Sequence, residues 1–178
     1  TRNGTIVHWP SGIQAKGEIR SQFCHVIDLA PTVLEAAGLP EPAFVNGIQQ
    51  KPYEGISLCY SFDDAQAAER HTTQYFEIIG NRGIYHKGWT AVTKHRTPWE
   101  VGAIRTVPFD DDIWELYDTN TDWAQAHDLA KEMQSQPELA QKLHELQRLW
   151  LIEAVKHNVV PLDDRLAVRA VVGTEPRH

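Results

Sequence analysis

Nine histidines and two cysteines in 178 residues raise the question of a metal site first. Zinc sites draw on Cys, His and carboxylate side chains at short, recurrent spacings. The sequence has no H-E-x-x-H, no C-x-x-C and no pair of His four residues apart. Most of the histidines are therefore expected on the surface, and no metal site is expected in this chain. His25 and Asp28 are near neighbours, but His25 precedes the start of a helix, so the two need not share a face. Asp110-Asp111-Asp112 offers oxygens to calcium, yet a calcium ion needs several oxygens converging on one point. A run of Asp in a turn is expected to be solvated. Cys24 and Cys59 cannot build a disulfide framework and are expected to be buried free thiols.

Nucleophilic catalysis is no better supported. There is no Gly-x-Ser-x-Gly, no Gly-rich loop leading into a helix, and no Glu/Asp pair in a glycosidase-like context. One stretch stands out. His71-Thr72-Thr73-Gln74-Tyr75-Phe76-Glu77 sets polar groups beside a predicted sheet, and Gly80-Asn81-Arg82-Gly83 follows at once. It reads either as a hairpin with a capped end or as a sheet edge facing a cleft. In the second case His71 and Gln74 are the side chains that would face a substrate. Net charge is −7 with no Lys/Arg cluster, so nucleic acid is not an expected partner. No apolar run approaches the ~20 residues of a membrane span.

The elements that must position these residues fall into two textures. Thr5–Trp9 reads as a buried strand stopped by Pro10-Ser11-Gly12. In "HVIDLAPTVLEAAGLP", Asp28 is a good N-cap and Pro31 falls in the first turn. Val33, Leu34 and Ala37 give an apolar face, and Gly38 suits a left-handed C-cap. A helix over 28–37 follows. Residues 39–70, rich in Pro and Gly, read as a long loop with a short strand or turn near Ile56–Tyr60. From 71 the chain is rich in β-branched and aromatic residues, with turns at Gly80-Asn81 and Lys87-Gly88. That pattern predicts an antiparallel meander of about three to five strands. Leu139, Leu143, Leu146 and Trp150 then fall at helical spacing, with Glu138, Lys142, Glu145 and Arg148 outward. A helix over about 137–157 should cover the sheet.

These stretches, in their order, resemble the C-terminal third of arylsulfatases, members of the sulfatase family in the alkaline-phosphatase-like superfamily. "DLAPTVLEAAGLP" is similar to a helix start shared by the family. "HTTQYFEIIGNRGIYHKGW", "WELYD", "HDLA" and "VVPLDDR" follow in family order. "TRNGTIVHWP" fits the family strand after a Glu-Gly-Gly-Thr-Arg segment, so Arg2 would be that Arg and a third candidate for the substrate cleft. The resemblance implies an α/β fold: residues 1–65 end the alkaline-phosphatase-like α/β domain. Residues 66–160 form an antiparallel sheet with its helix, and 161–178 form a tail or linker.

The resemblance also implies an activity that this sequence does not carry alone. The family hydrolyses sulfate esters with calcium and a formylglycine made from a Cys/Ser-x-Pro-x-Arg motif. Neither Cys24 nor Cys59 fits that motif, and Ser135-Gln136-Pro137-Glu138-Leu139 has Leu where the Arg belongs. The chain is therefore expected to be inactive alone, its catalytic residues, formylglycine and calcium belonging to the intact family enzyme. The expected partner is the missing N-terminal sulfatase domain, or another copy of itself. The alternative is a stand-alone, non-catalytic domain that binds something or self-assembles, with six Trp supplying adhesive surface.

Overall fold

The computed structural model describes residues 3–97 and 108–162. The chain divides into two compact units, Arg2–Thr72 and Thr73–His178, with Thr1 grouped with the second. Each is built differently.

In the first unit a single 3-10 turn, Val26–Asp28, leads into helix α1, Leu29–Ala36. Gly38 closes the helix with a φ of 67°, a left-handed conformation that glycine adopts without steric cost. The backbone N–H of Leu39 then reaches back to the Leu34 carbonyl at 2.9 Å. The expected loop over 39–70 contains a hairpin of two short strands, β1 (Phe44–Val45) and β2 (Ile48–Gln49), joined by Asn46-Gly47. Both turn residues have positive φ, 51° and 80°, as the tight hairpin turn requires. Near Ile56–Tyr60 the chain forms a 3-10 turn, Cys59–Ser61.

Three expectations about this unit are corrected. Thr5–Trp9 is not a buried strand: Ile6 is 97% exposed, and no described strand pairs with it. An extended segment becomes a strand only when a neighbour takes up its backbone hydrogen bonds. The apolar face of α1 is not its buried face, since Val33 is 65% exposed while Thr32 is buried. Cys24 is exposed and Cys59 half-buried; both are free, as expected.

The second unit follows the predicted meander. Strands β3 (Thr73–Ile78), β4 (Asn81–His86), β5 (Trp89–Thr93) and β6 (Trp114–Asp118) pair antiparallel in sequence order. The first turn is Ile79-Gly80, one residue earlier than expected, because Asn81 begins β4. Its side-chain oxygen accepts the backbone N–H groups of His95 and Arg96 at 3.0 and 3.2 Å. Lys87-Gly88 makes the second turn, and both glycines have φ near 80°.

Register explains the core. Tyr75 pairs with Ile84, Ile84 with Ala91, and Ala91 with Leu116, so one row runs across all four strands. Helix α2, Pro137–Lys156, covers that row with Leu139, Leu143, Leu146, Trp150 and Ala154, all buried. The Trp150 indole N–H donates to the Phe76 carbonyl at 3.0 Å. Asp128 caps the 3-10 turn Leu129–Glu132 and accepts the Leu116 backbone N–H at 3.1 Å, which ties that turn to β6.

Trp150→Ala removes a large buried aromatic and an edge-strand hydrogen bond. It should cost about 3–5 kcal/mol. Arg148→Ala, on the outer face, should change stability by less than about 0.5 kcal/mol. Denaturant melts of the two variants beside the parent make the comparison, and equal shifts would show the helix to be rotated.

Candidate functional site

The first unit is organised around a carboxylate. Asp28 has no exposed surface. It sits at the junction of the 3-10 turn and α1 in helical conformation, so its side chain turns inward instead of capping the helix. Its Oδ2 accepts the backbone N–H of His25 and its Oδ1 that of Ile56, each at 2.8 Å. His71 Nδ1 lies 2.8 Å from both oxygens. A carboxylate facing a ring nitrogen requires that nitrogen to carry the proton, so the His71 tautomer is fixed.

The surroundings are built to hold this pair. Phe23 meets the His71 ring edge-on, with centroids 5.3 Å apart. The Thr32 hydroxyl donates to the Asp28 carbonyl at 2.6 Å and accepts the Leu58 N–H at 2.9 Å. Gly55 lets its loop close: a Cβ there would lie 2.1 Å from the Ile27 carbonyl oxygen. No other residue permits that approach, which delivers the Ile56 N–H to Asp28.

An imidazole oriented through Nδ1 by a buried carboxylate is the arrangement enzymes use to hold a general base. The nearby thiol is poorly suited to be its partner. Partial burial, and then the negative charge of Asp28, push Cys24 above the ordinary thiol value. A raised thiol is mostly protonated near neutral pH and is a weak nucleophile. Burial pushes His25 below the usual imidazole value, with the Asp28 carboxylate pulling the other way.

A second buried cluster lies in the second unit. Asp112 accepts from the Arg82 guanidinium, and His95 Nδ1 lies 3.0 Å from both its oxygens. The His95 ring stacks on Phe109 at 4.1 Å. A Cβ at Gly80 would meet both rings, at 2.7 and 2.8 Å. The expected solvated Asp run is thus corrected at one position. Asp110 and Asp111 are exposed, but the Asp112 side chain is 3% exposed. The surface reading of the histidines is corrected at His71 and His95, both interior and both bound to a carboxylate.

Of the three candidates read from sequence, His71 belongs to the first unit, with its side chain 6% exposed against Asp28. Gln74 is half-buried on β3, and its amide donates to the Tyr75 carbonyl at 2.7 Å. Arg2 lies outside the described residues. Among the described residues, no three His, Cys, Asp or Glu side chains converge in a way that could hold a metal ion. Sequence reasoning missed the role of Asp28 as an acceptor for distant groups, singled out the Gly80-Asn81-Arg82-Gly83 stretch without giving Arg82 a role, and missed His95. The "GNRG" turn leading Arg82 into a strand was the available signal.

Asp28→Asn replaces an acceptor oxygen with an amide that faces donors. It should destabilise the chain by about 1–3 kcal/mol for each buried donor left without its acceptor. Glu35→Gln, exposed on α1, should leave the melt within about 0.5 kcal/mol of the parent. A near-neutral Asp28→Asn in the same melts would remove Asp28 from the centre of the unit.

A family model described as "N-sulphoglucosamine sulphohydrolase, C-terminal" matches residues 1–150. Among solved structures, one described as BT4656 in complex with its substrate D-glucosamine-2-N,6-O-disulfate matches with 23% identity and a TM-score of 0.49, over 82% of this chain and 28% of that one. A second, described as BT1596, a 2-O GAG sulfatase, matches with 19% identity and a TM-score of 0.47, over 83% of this chain and 28% of that one. This chain therefore spans a little over a quarter of the length of the solved chains it matches. With 150 of its residues matched by that model, the chain belongs to the N-sulphoglucosamine sulphohydrolase C-terminal family and is a C-terminal sulfatase segment.

Proposed function

We propose that this chain serves a sulfate-ester hydrolase as its non-nucleophilic C-terminal segment and does not turn over substrate alone. One observation carries the reading: residues 1–150 match a C-terminal sulfatase family, in a sequence with no Cys/Ser-x-Pro-x-Arg. The nucleophile, and the calcium expected beside it, belong in this reading to the N-terminal part of the enzyme. There a cation would stabilise charge developing on the sulfate oxygens. This segment's contribution is shape. It holds rigid walls and presents side chains to a substrate bound elsewhere. Arg2, His71 and Gln74 are the candidates for that contact, and His71 alone has its ring orientation set by a buried carboxylate. The family description points to sulfated amino sugars as a substrate class to test beside aryl sulfates.

A second reading, a stand-alone self-assembling domain, is favoured by the large apolar side chains exposed in the first unit, among them Ile6, Val33 and Ile48.

The purified chain, with and without calcium, should release no sulfate from 4-nitrophenyl sulfate or from N-sulfated glucosamine above a heat-killed control. Turnover that disappears on substituting a residue of this chain would overturn the first reading. Size-exclusion with light scattering on the same sample tests the second: a stable, concentration-independent oligomer supports it, and a monomer removes it.

A further inference from the structure

Two of the five asparagines in the chain, Asn3 and Asn46, are followed by glycine. An asparagine amide is an electrophile whenever the next backbone nitrogen can reach its Cγ. Glycine has no side chain to shield that nitrogen, so Asn-Gly is the least hindered pair. Asn46-Gly47 is the turn of the β1–β2 hairpin, and both residues are exposed. The ladder pairs Val45 with Ile48 and Phe44 with Gln49, so the Gly47 N–H lies outside it. A Cβ at Gly47 would meet nothing within 4 Å. Among the described residues, no group holds the Asn46 amide. The hairpin itself is slight: each strand has two residues, and all four are exposed. A lone two-stranded hairpin is marginally stable in water.

Three other asparagines are placed differently. Asn81 gives its Oδ1 to two backbone N–H groups and donates its Nδ2 to the Ile78 carbonyl at 3.0 Å. Asn120 donates its Nδ2 to Asp118 Oδ1 at 2.9 Å, and the following N–H, of Thr121, donates to the Asp118 carbonyl at 3.3 Å. Asn158 is followed by the β-branched Val159, whose N–H donates to the Ala154 carbonyl at 2.8 Å. At each of these sites the amide or the attacking nitrogen is already engaged.

We propose that Asn46 is a self-modification site of the folded chain, converted by its own backbone and water to aspartate and isoaspartate. The inference is independent of the function proposed above. The Gly47 nitrogen gives its proton to solvent and attacks Asn46 Cγ. The new C–N bond closes a succinimide ring, the Cγ–Nδ2 bond breaks, and the amide leaves as ammonia after taking up a proton. Water then opens the ring at either carbonyl carbon, giving aspartate or isoaspartate. Water is the sole co-reactant, and nothing is oxidised or reduced. Either product sets a carboxylate in Pro42–Gln50, a stretch with no charged residue. Isoaspartate also lengthens the backbone by a methylene. A turn that needs positive φ at two successive residues, 51° and 80°, cannot keep its geometry with that insertion. The hairpin therefore carries a chemical change that accumulates with the age of the molecule and opens the Val45–Ile48 pair.

The purified chain is incubated at mildly alkaline pH, native and in guanidinium chloride, and its peptides are followed by mass spectrometry. Isoaspartate is scored by labelling with an isoaspartyl methyltransferase. Native Asn46 should convert within about tenfold of its rate in the denatured chain, because a lone hairpin opens at little cost. Folding should slow Asn81, Asn120 and Asn158 by more than about tenfold, since their groups are bonded in the structure. Asn3-Gly4, the same dipeptide at another exposed position, calibrates the native rate. Conversion at Asn46 should rise with pH, as attack by a deprotonated nitrogen requires, and Asn46→Gln should remove it because the longer side chain must close a larger ring. Folding that protects Asn46 as strongly as Asn81 overturns the proposal. So does a rate at Asn46 that does not rise with pH, or acid that persists in that peptide of the Asn46→Gln chain.

Discussion

A carboxylate with no exposed surface must have its oxygens met by donors, because the charged group has given up its water. Asp28 meets that demand from three separate stretches of chain: the His25 amide before the helix, the Ile56 amide beyond the β1–β2 hairpin, and the His71 ring at the unit's end. Each donor fixes the course of the chain that delivers it. The loop carrying Ile56 must pass against the Ile27 carbonyl, which demands Gly55. The helix must begin where it does, because Asp28 is also its first residue's neighbour. Among the described residues of this unit the strands are one pair of two residues each, too little sheet to organise the chain, and this polar centre takes that role.

The second unit solves the same problem in the opposite order. Its sheet and helix form an apolar core first, and the polar cluster of Arg82, His95 and Asp112 sits at one end of it. Arg82 comes from β4, His95 follows β5 and Asp112 precedes β6, so strand register alone brings them together. The Arg82 guanidinium lies 5.2 Å from the Trp114 ring centre and 5.6 Å from that of Trp150. A planar cation over aromatic faces is stabilised without competing for their burial. The cluster thereby links the base of the β5–β6 connection to the tryptophan at the heart of the core.

What the sequence revealed follows from the range of the forces involved. Helix α2 and the meander were legible because their signals are local: a 3.6-residue apolar repeat, β-branched runs and Lys87-Gly88. The β1–β2 hairpin had an equally local signal in Asn46-Gly47 but was hidden by the Pro and Gly around it. Thr5–Trp9 has strand composition, yet strandhood is a property of a pair, and composition names no partner. The Asp28–His71 contact joins residues 43 apart, and nothing in either neighbourhood announces the other. Asp112 shares a run with two exposed aspartates, and only register separates its fate from theirs. The family resemblance was legible because it rests on the order of several modest motifs, none of which needs a three-dimensional contact to be seen.

The reversal of α1 has an energetic cause. Thr32 and Asp28 lie on the face that points inward, and Leu29 and Val33 lie on the other. Turning the helix over would bury Leu29 and Val33 more fully, worth about 2–3 kcal/mol together at their present exposure. It would also strip Asp28 of two backbone donors and His71, and leave those donors without their acceptor. Each buried group left without its hydrogen-bond partner costs about 1–3 kcal/mol, and three donors are involved. The polar side of the balance is the larger, so the carboxylate sets the helix's rotation and the apolar stripe is left facing out. An apolar stripe held outward by a polar anchor stays in one orientation.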